Sequence, residues 1–126
     1  MKVTGLNEYQ EQAMTTCTES SDNHLYMLTG LCEEVGELHG KFAKAIRKGL
    51  LKALIDNNFH TDGLEGTEVS QELIPEITKE IGDCLWMLAG ICHTLGITLE
   101  DVANKNLAKL ADRQKRNVII GEGDNR

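Results

Sequence analysis

This chain is short of aromatic residues and almost without proline. Only 4% of its 126 residues are Phe, Trp or Tyr, and Pro75 is the single proline. Strands draw on aromatic and β-branched residues, so this poverty argues against a sheet protein. Long stretches rich in Leu, Ile, Ala, Glu and Lys favour helices instead. Positive charge is also scarce: 13 Lys and Arg against 20 Asp and Glu leave a formal net charge of −7. A general nucleic-acid binder needs a basic footprint, so no nucleic-acid partner is expected. No run of 18 apolar residues is present, so no membrane partner is expected either. The start, Met1 to Leu6, has no apolar core of signal-peptide length. The four cysteines, Cys17, Cys32, Cys84 and Cys92, form no C-x-x-C pair, which weakens zinc and redox readings. They read as buried thiols in a reducing, cytoplasmic setting.

What is present is helical periodicity within a length that suggests one domain, 1–126. Leu6 to Cys17 reads as a first helix with Asn7 as a candidate cap. A longer helix runs from Asp22 or Asn23 to about Lys48, with Leu28, Leu31, Val35, Leu38, Phe42 and Ile46 at three- or four-residue intervals. Lys41, Lys44, Arg47 and Lys48 crowd its last turns, where they suit the helix dipole. Leu50 to Ile55 adds a short helical turn, and Asp56 to Gly66 is rich in turn residues and reads as a surface loop. A third long helix begins near Pro75, which fits a first turn, and ends at Leu95 before Gly96. Thr98, with Asp101 three residues later, resembles a capping box opening a fourth helix that runs to about Arg116. The expected fold is all-α, an antiparallel bundle of four to five helices.

Two acidic pairs stand out. Glu33-Glu34-Val35-Gly36-Glu37 and Glu80-Ile81-Gly82-Asp83 each place carboxylates three residues apart, on one helix face. Such like charges repel unless a cation lies between them, and Mg²⁺ held by carboxylate oxygen is the simplest one. Asp83 opens a run from Ile81 to Ile97 that is apolar or small at nearly every position, so it is expected to be buried, where an unpaired carboxylate costs several kcal/mol. The plainer alternative is that Glu80 and Asp83 face solvent or pair with Lys79 or Lys44. On the fourth helix, Asn106, Lys109 and Arg113 share one face and offer an amide, an ammonium and a guanidinium, a set suited to phosphate oxygens. A merely solvated face is the alternative there. Trp86 reads as core and His93 as a satisfied histidine near a helix end. No histidine falls in the E-x-x-H pattern that a di-iron carboxylate bundle requires.

Taken together, these residues resemble the MazG-like all-α nucleoside triphosphate pyrophosphohydrolases. The family pattern is E-E-x-x-E on one helix and E-x-x-D on a later one. Glu80-Ile81-Gly82-Asp83-Cys84-Leu85-Trp86 looks like its E-[IL]-G-D-x-L-W segment. Asn106-x-x-Lys109-Leu110-x-x-Arg113 looks like its N-x-x-K-L-x-x-R segment, and Gly121 to Arg126 resembles the G-x-G-D-x-R tail of some small members. The resemblance implies Mg²⁺-dependent hydrolysis (Mn²⁺ being the alternative ion) of a (deoxy)nucleoside triphosphate to monophosphate and pyrophosphate, in nucleotide-pool house-cleaning. It implies that Glu34, Glu37, Glu80 and Asp83 hold the metal and that Glu33 orients ligands or the attacking water. Either Glu33 or Glu37 would accept that water's proton. Asn106, Lys109 and Arg113 would contact phosphates, with Asp124 and Arg126 completing the pocket.

One departure concerns spacing: 42 residues lie between Glu37 and Glu80, more than is usual between the family's two motifs. The surplus falls on the Asp56 to Gly66 loop and bears on selectivity more than on the metal site. The third helix is apolar on more sides than one small bundle covers, so a homodimer or homotetramer is expected. The competing functional readings are a non-catalytic helical interaction module and a di-metal carboxylate bundle of other chemistry.

Overall fold

The computed structural model describes residues 2–48 and 71–123. The expected turn at Leu50 to Ile55, the loop at Asp56 to Gly66, and the tail residues Asp124 and Arg126 lie outside the described residues. Those described form helices α1 (Leu6–Met14), α2 (His24–Arg47), α3 (Ile74–Thr94) and α4 (Leu99–Lys115), with a single 3-10 turn, Gln71–Leu73, leading into α3. No strand occurs among them, as the poverty in aromatics suggested. No single helix among them is long and apolar enough to cross a membrane.

The chain divides into two compact units, one formed by residues 1–24 and 88–126, the other by residues 25–87. In the first unit, α1 is tied to the start of α4 by two amides. Gln10 donates from Nε2 to the Ile97 carbonyl (3.0 Å) and accepts from the Leu99 N–H at Oε1 (2.7 Å). Asn7 donates to the Glu100 carboxylate (2.6 Å) and accepts from the Glu100 N–H (3.3 Å). Leu99 and Glu100 open α4, so these amides satisfy N–H groups that have no partner within their own helix. Asn7 therefore caps another helix rather than its own. The N-cap of α1 is Gly5, without a side-chain bond, and Glu8 instead reaches back to the N–H and hydroxyl of Thr4 (2.7 and 2.6 Å).

The expected punctuation of α3 and α4 is present. Gly96, at φ +67°, ends α3 with its own N–H on the His93 carbonyl and the Ile97 N–H on that of Cys92. That pair of bonds is a Schellman stop, which favours glycine at the left-handed position. Thr98 Oγ1 then accepts from the Asp101 N–H (3.1 Å), which is the N-cap half of the capping box. Asn117, at φ 56°, closes α4 with the same bond pattern onto Arg113 and Gln114.

In the second unit, α2 runs antiparallel to the first part of α3. Gly30 meets Met87, Glu37 meets Glu80 and Lys41 meets Glu76, each step forward on α2 matched by an equal step back on α3. Among its described residues, Met27, Ala45, Ile77 and Met87 are the buried apolar ones. Gly30 is buried too, and the Met87 thioether fills the place where its side chain would be.

Candidate metal centre

The heptad and half-heptad steps of this register decide which polar residues meet. From Gly30, seven residues along α2 bring Glu37 and four more bring Lys41. From Met87, seven back along α3 bring Glu80 and four more bring Glu76. The same register therefore places a polar network beyond the Gly30–Met87 contact. Glu34, Glu37 and Glu80 each offer a carboxylate oxygen, and the three oxygens lie within 4.8 Å of one another. Two like charges about 4 Å apart cost roughly 1 kcal/mol in water and about 4 kcal/mol at the effective dielectric of a protein surface. A convergence of three ionised carboxylates is therefore costly unless a cation or a proton offsets it.

Burial within the cluster differs from the expectation. Glu80 is the buried carboxylate, 6% exposed, whereas Asp83 is exposed. Three residues turn a helix by about 300°, so Asp83 stands about 60° off the Glu80 direction, towards solvent. The apolar run that Asp83 opens is not enclosed on all sides either, since Ile81, Leu88 and Leu95 are exposed. Asp83 still belongs electrostatically to the cluster. The Glu34 carboxyl is held above its ordinary pKa first by burial, then by the charge of Asp83, and after that by Glu37, Glu33 and Glu80. Glu33 and Glu37 are both exposed.

Among the described residues, the cation beside Glu80 is Lys41, not Lys79 or Lys44. Its Nζ lies 3.0 Å from Glu80 Oε1 and 3.3 Å from Glu76 Oε2. Lys79 pairs with Glu76 at 2.9 Å. The Lys41 pKa is raised by its hydrogen bonds to Glu80 and Glu76, and that of Glu76 is lowered by Lys79 and then Lys41. Read from sequence, Lys41 served only the helix dipole and Glu76 had no role. The available signal was spacing: Lys41 follows Glu37 by one turn, and Glu76 precedes Glu80 by one turn.

The MazG nucleotide pyrophosphohydrolase domain matches residues 22–118. The chain belongs to this family. The Gene 37 protein of Mycobacterium phage L5 is similar to it, with 32% identity over 108 residues that cover 86% of this chain and 81% of the phage protein. No solved structure matches. The match to the MazG family spans both acidic motifs and α4.

The remaining residues singled out from sequence fall in the first unit. Asn106 and Lys109 are exposed on α4, while Arg113 is buried, 5% exposed. The face expected to present three phosphate ligands to solvent thus presents two. His93 is exposed and lies 3.7 Å from Asp22 Oδ1. Trp86, at the end of the second unit, is half-buried. Gln10 lines an open cavity of about 460 Å³ together with Asn7, Met14, His93 and Thr98. Of the four thiols only Cys92 is buried, and Cys32 is exposed, so uniform burial was not the outcome. Burial and then the charge of Glu34 and Asp83 push the Cys84 thiol up, away from the thiolate form.

Proposed function

We propose that this chain hydrolyses (deoxy)nucleoside triphosphates to the monophosphate and pyrophosphate, using a divalent cation held by Glu34, Glu37 and Glu80, with Asp83 beside Glu34. The observation that carries this reading is the convergence of those three carboxylates within 4.8 Å in a chain of the MazG family. The donor set is oxygen only, which fits a hard ion such as Mg²⁺, or Mn²⁺. When bound, the ion supplies charge neutralisation and Lewis-acid polarisation at phosphate oxygen.

The protein's own contribution divides by burial. Glu80, 6% exposed, is the enclosed ligand. Glu34 and Glu37, one turn apart on α2, close on it from the opposite helix. Glu33 is exposed and near enough to raise the Glu34 pKa. It lies outside the converging trio, so it takes the role of orienting the attacking water and accepting its proton. Asn106 and Lys109 on α4 serve phosphate oxygens as a separate polar set on their own unit.

A homo-oligomer, dimer or tetramer, accompanies this function. Its support is the row Ile74, Ile81 and Leu88 along α3, continued by Leu95 just past its end, spaced by seven and each exposed by 42% or more. Such a row covers itself most simply against another helix. House-cleaning of nucleotide pools in the cytoplasm is the biological setting that follows from this chemistry.

Product analysis tests the reaction. Phosphorus NMR of a deoxynucleoside triphosphate incubated with the protein and Mg²⁺ should show monophosphate and pyrophosphate growing together. Orthophosphate and diphosphate in their place would contradict attack at the α-phosphorus.

A further inference from the structure

Lys41 sits between two carboxylates of α3 that differ in what else holds them. Glu76 is half-exposed, with 45% of its side chain accessible, and has Lys79 at 2.9 Å as well as Lys41 at 3.3 Å. Glu80 is enclosed, and Lys41 at 3.0 Å is the ammonium that meets it. A buried carboxylate must be paired or bound to a metal. Lys41 fulfils that need in the protein without metal, and it does so on an oxygen of the same carboxylate that joins Glu34 and Glu37.

We propose that Lys41 is a resident counter-ion that a divalent cation displaces from Glu80, and that Glu76 is the acceptor to which the ammonium moves. The inference rests on the metal reading given above. An ammonium on a four-carbon stem is a mobile point charge with three donors, and both carboxylates are already within its reach. A divalent ion among Glu34, Glu37 and Glu80 places two positive charges against that ammonium. Glu76, one turn further from the cluster, is the acceptor that lowers the repulsion. The device keeps the acidic residues assembled without metal, and it weakens metal binding by making the ion compete with a cation already in place.

Calorimetric titration with Mn²⁺ and thermal melting of the metal-free protein test this together, because competition moves them in opposite directions. Lys41→Met should lower the metal-free melting temperature by a few degrees and tighten Mn²⁺ binding roughly fivefold, the worth of a partly exposed ion pair. Lys41→Arg should restore the metal-free melting temperature. Glu76→Gln, which removes the alternative acceptor and leaves Glu80 untouched, should fold normally and weaken Mn²⁺ binding. It keeps the test decisive if Lys41→Met does not fold. Unchanged or weaker Mn²⁺ binding by a folded Lys41→Met, or unchanged binding by Glu76→Gln, overturns the displacement role while leaving the metal site standing. Absence of Mn²⁺ binding by the wild type overturns the metal reading itself and this inference with it.

Discussion

Gly30 lies directly against the end of Met87: a Cβ on Gly30 would stand 2.5 Å from Met87 Cε and 2.7 Å from Sδ. Met87 occupies the space that a side chain at position 30 would take. The contact belongs to the same register that carries Glu37 to Glu80 and Lys41 to Glu76. Gly30→Ala gains helix propensity but overpacks a buried contact. The atoms it meets end a flexible side chain that can turn aside, so the two effects should nearly offset, with a change of about 1 kcal/mol or less in urea unfolding. Met87→Val removes the colliding atoms, so Gly30→Ala should be more favourable in that background than beside Met87. Additive effects in the double-mutant cycle would show that the two residues are not coupled.

The crowding of carboxylates predicts a pH signature in the metal-free protein. Glu34 has a raised pKa in the folded state, so the fold holds its proton more tightly than the unfolded chain does. The corresponding stability is present below the ordinary glutamate value and is lost as pH rises through the raised one. Glu34→Gln removes the penalty. It should therefore melt higher than wild type at pH 7 without metal, with the advantage shrinking as pH falls towards 4.5. Equal melting temperatures at pH 7 would contradict the repulsion argued for this cluster.

Helix ends and acidic motifs were legible in the sequence because both are local. Thr98 with Asp101, and Gly96 after Thr94, announce the boundary between α3 and α4 by themselves. The two carboxylate pairs announce a shared face on each helix. What was not legible depends on how two helices meet. One residue is a 100° turn, so a hydrophobic run cannot say whether Glu80 or Asp83 points inward. The pairing of Lys41 with Glu80 rather than with its own helix's dipole follows from the same register. The burial of Arg113, read from sequence as one of three phosphate contacts, likewise depends on contacts between elements.

The capping expectation yields a clean stability test away from the site. Thr98 Oγ1 accepts from the Asp101 N–H, and Thr98→Ala should cost about 1 kcal/mol, whereas Thr98→Ser should cost only a few tenths. Thermal melts of the two variants check this. A loss in Thr98→Ser equal to that in Thr98→Ala would mean the hydroxyl bond is not the cause.

The converging carboxylates are proposed to support metal-dependent hydrolysis of a nucleoside triphosphate. The most direct test is pyrophosphate release from a panel of canonical and modified (deoxy)nucleoside triphosphates, with and without Mg²⁺. The proteins compared should be wild type, Glu37→Gln and Asp83→Asn, each shown to be folded by circular dichroism. Wild type should release pyrophosphate only with Mg²⁺. Glu37→Gln, which removes a member of the trio, should lose about 100-fold or more, as expected when a metal site loses one of its ligands or their support. Asp83→Asn should also lose turnover, because its charge adjoins Glu34. Mg²⁺-independent release, or turnover undiminished in a folded Glu37→Gln, would contradict the account.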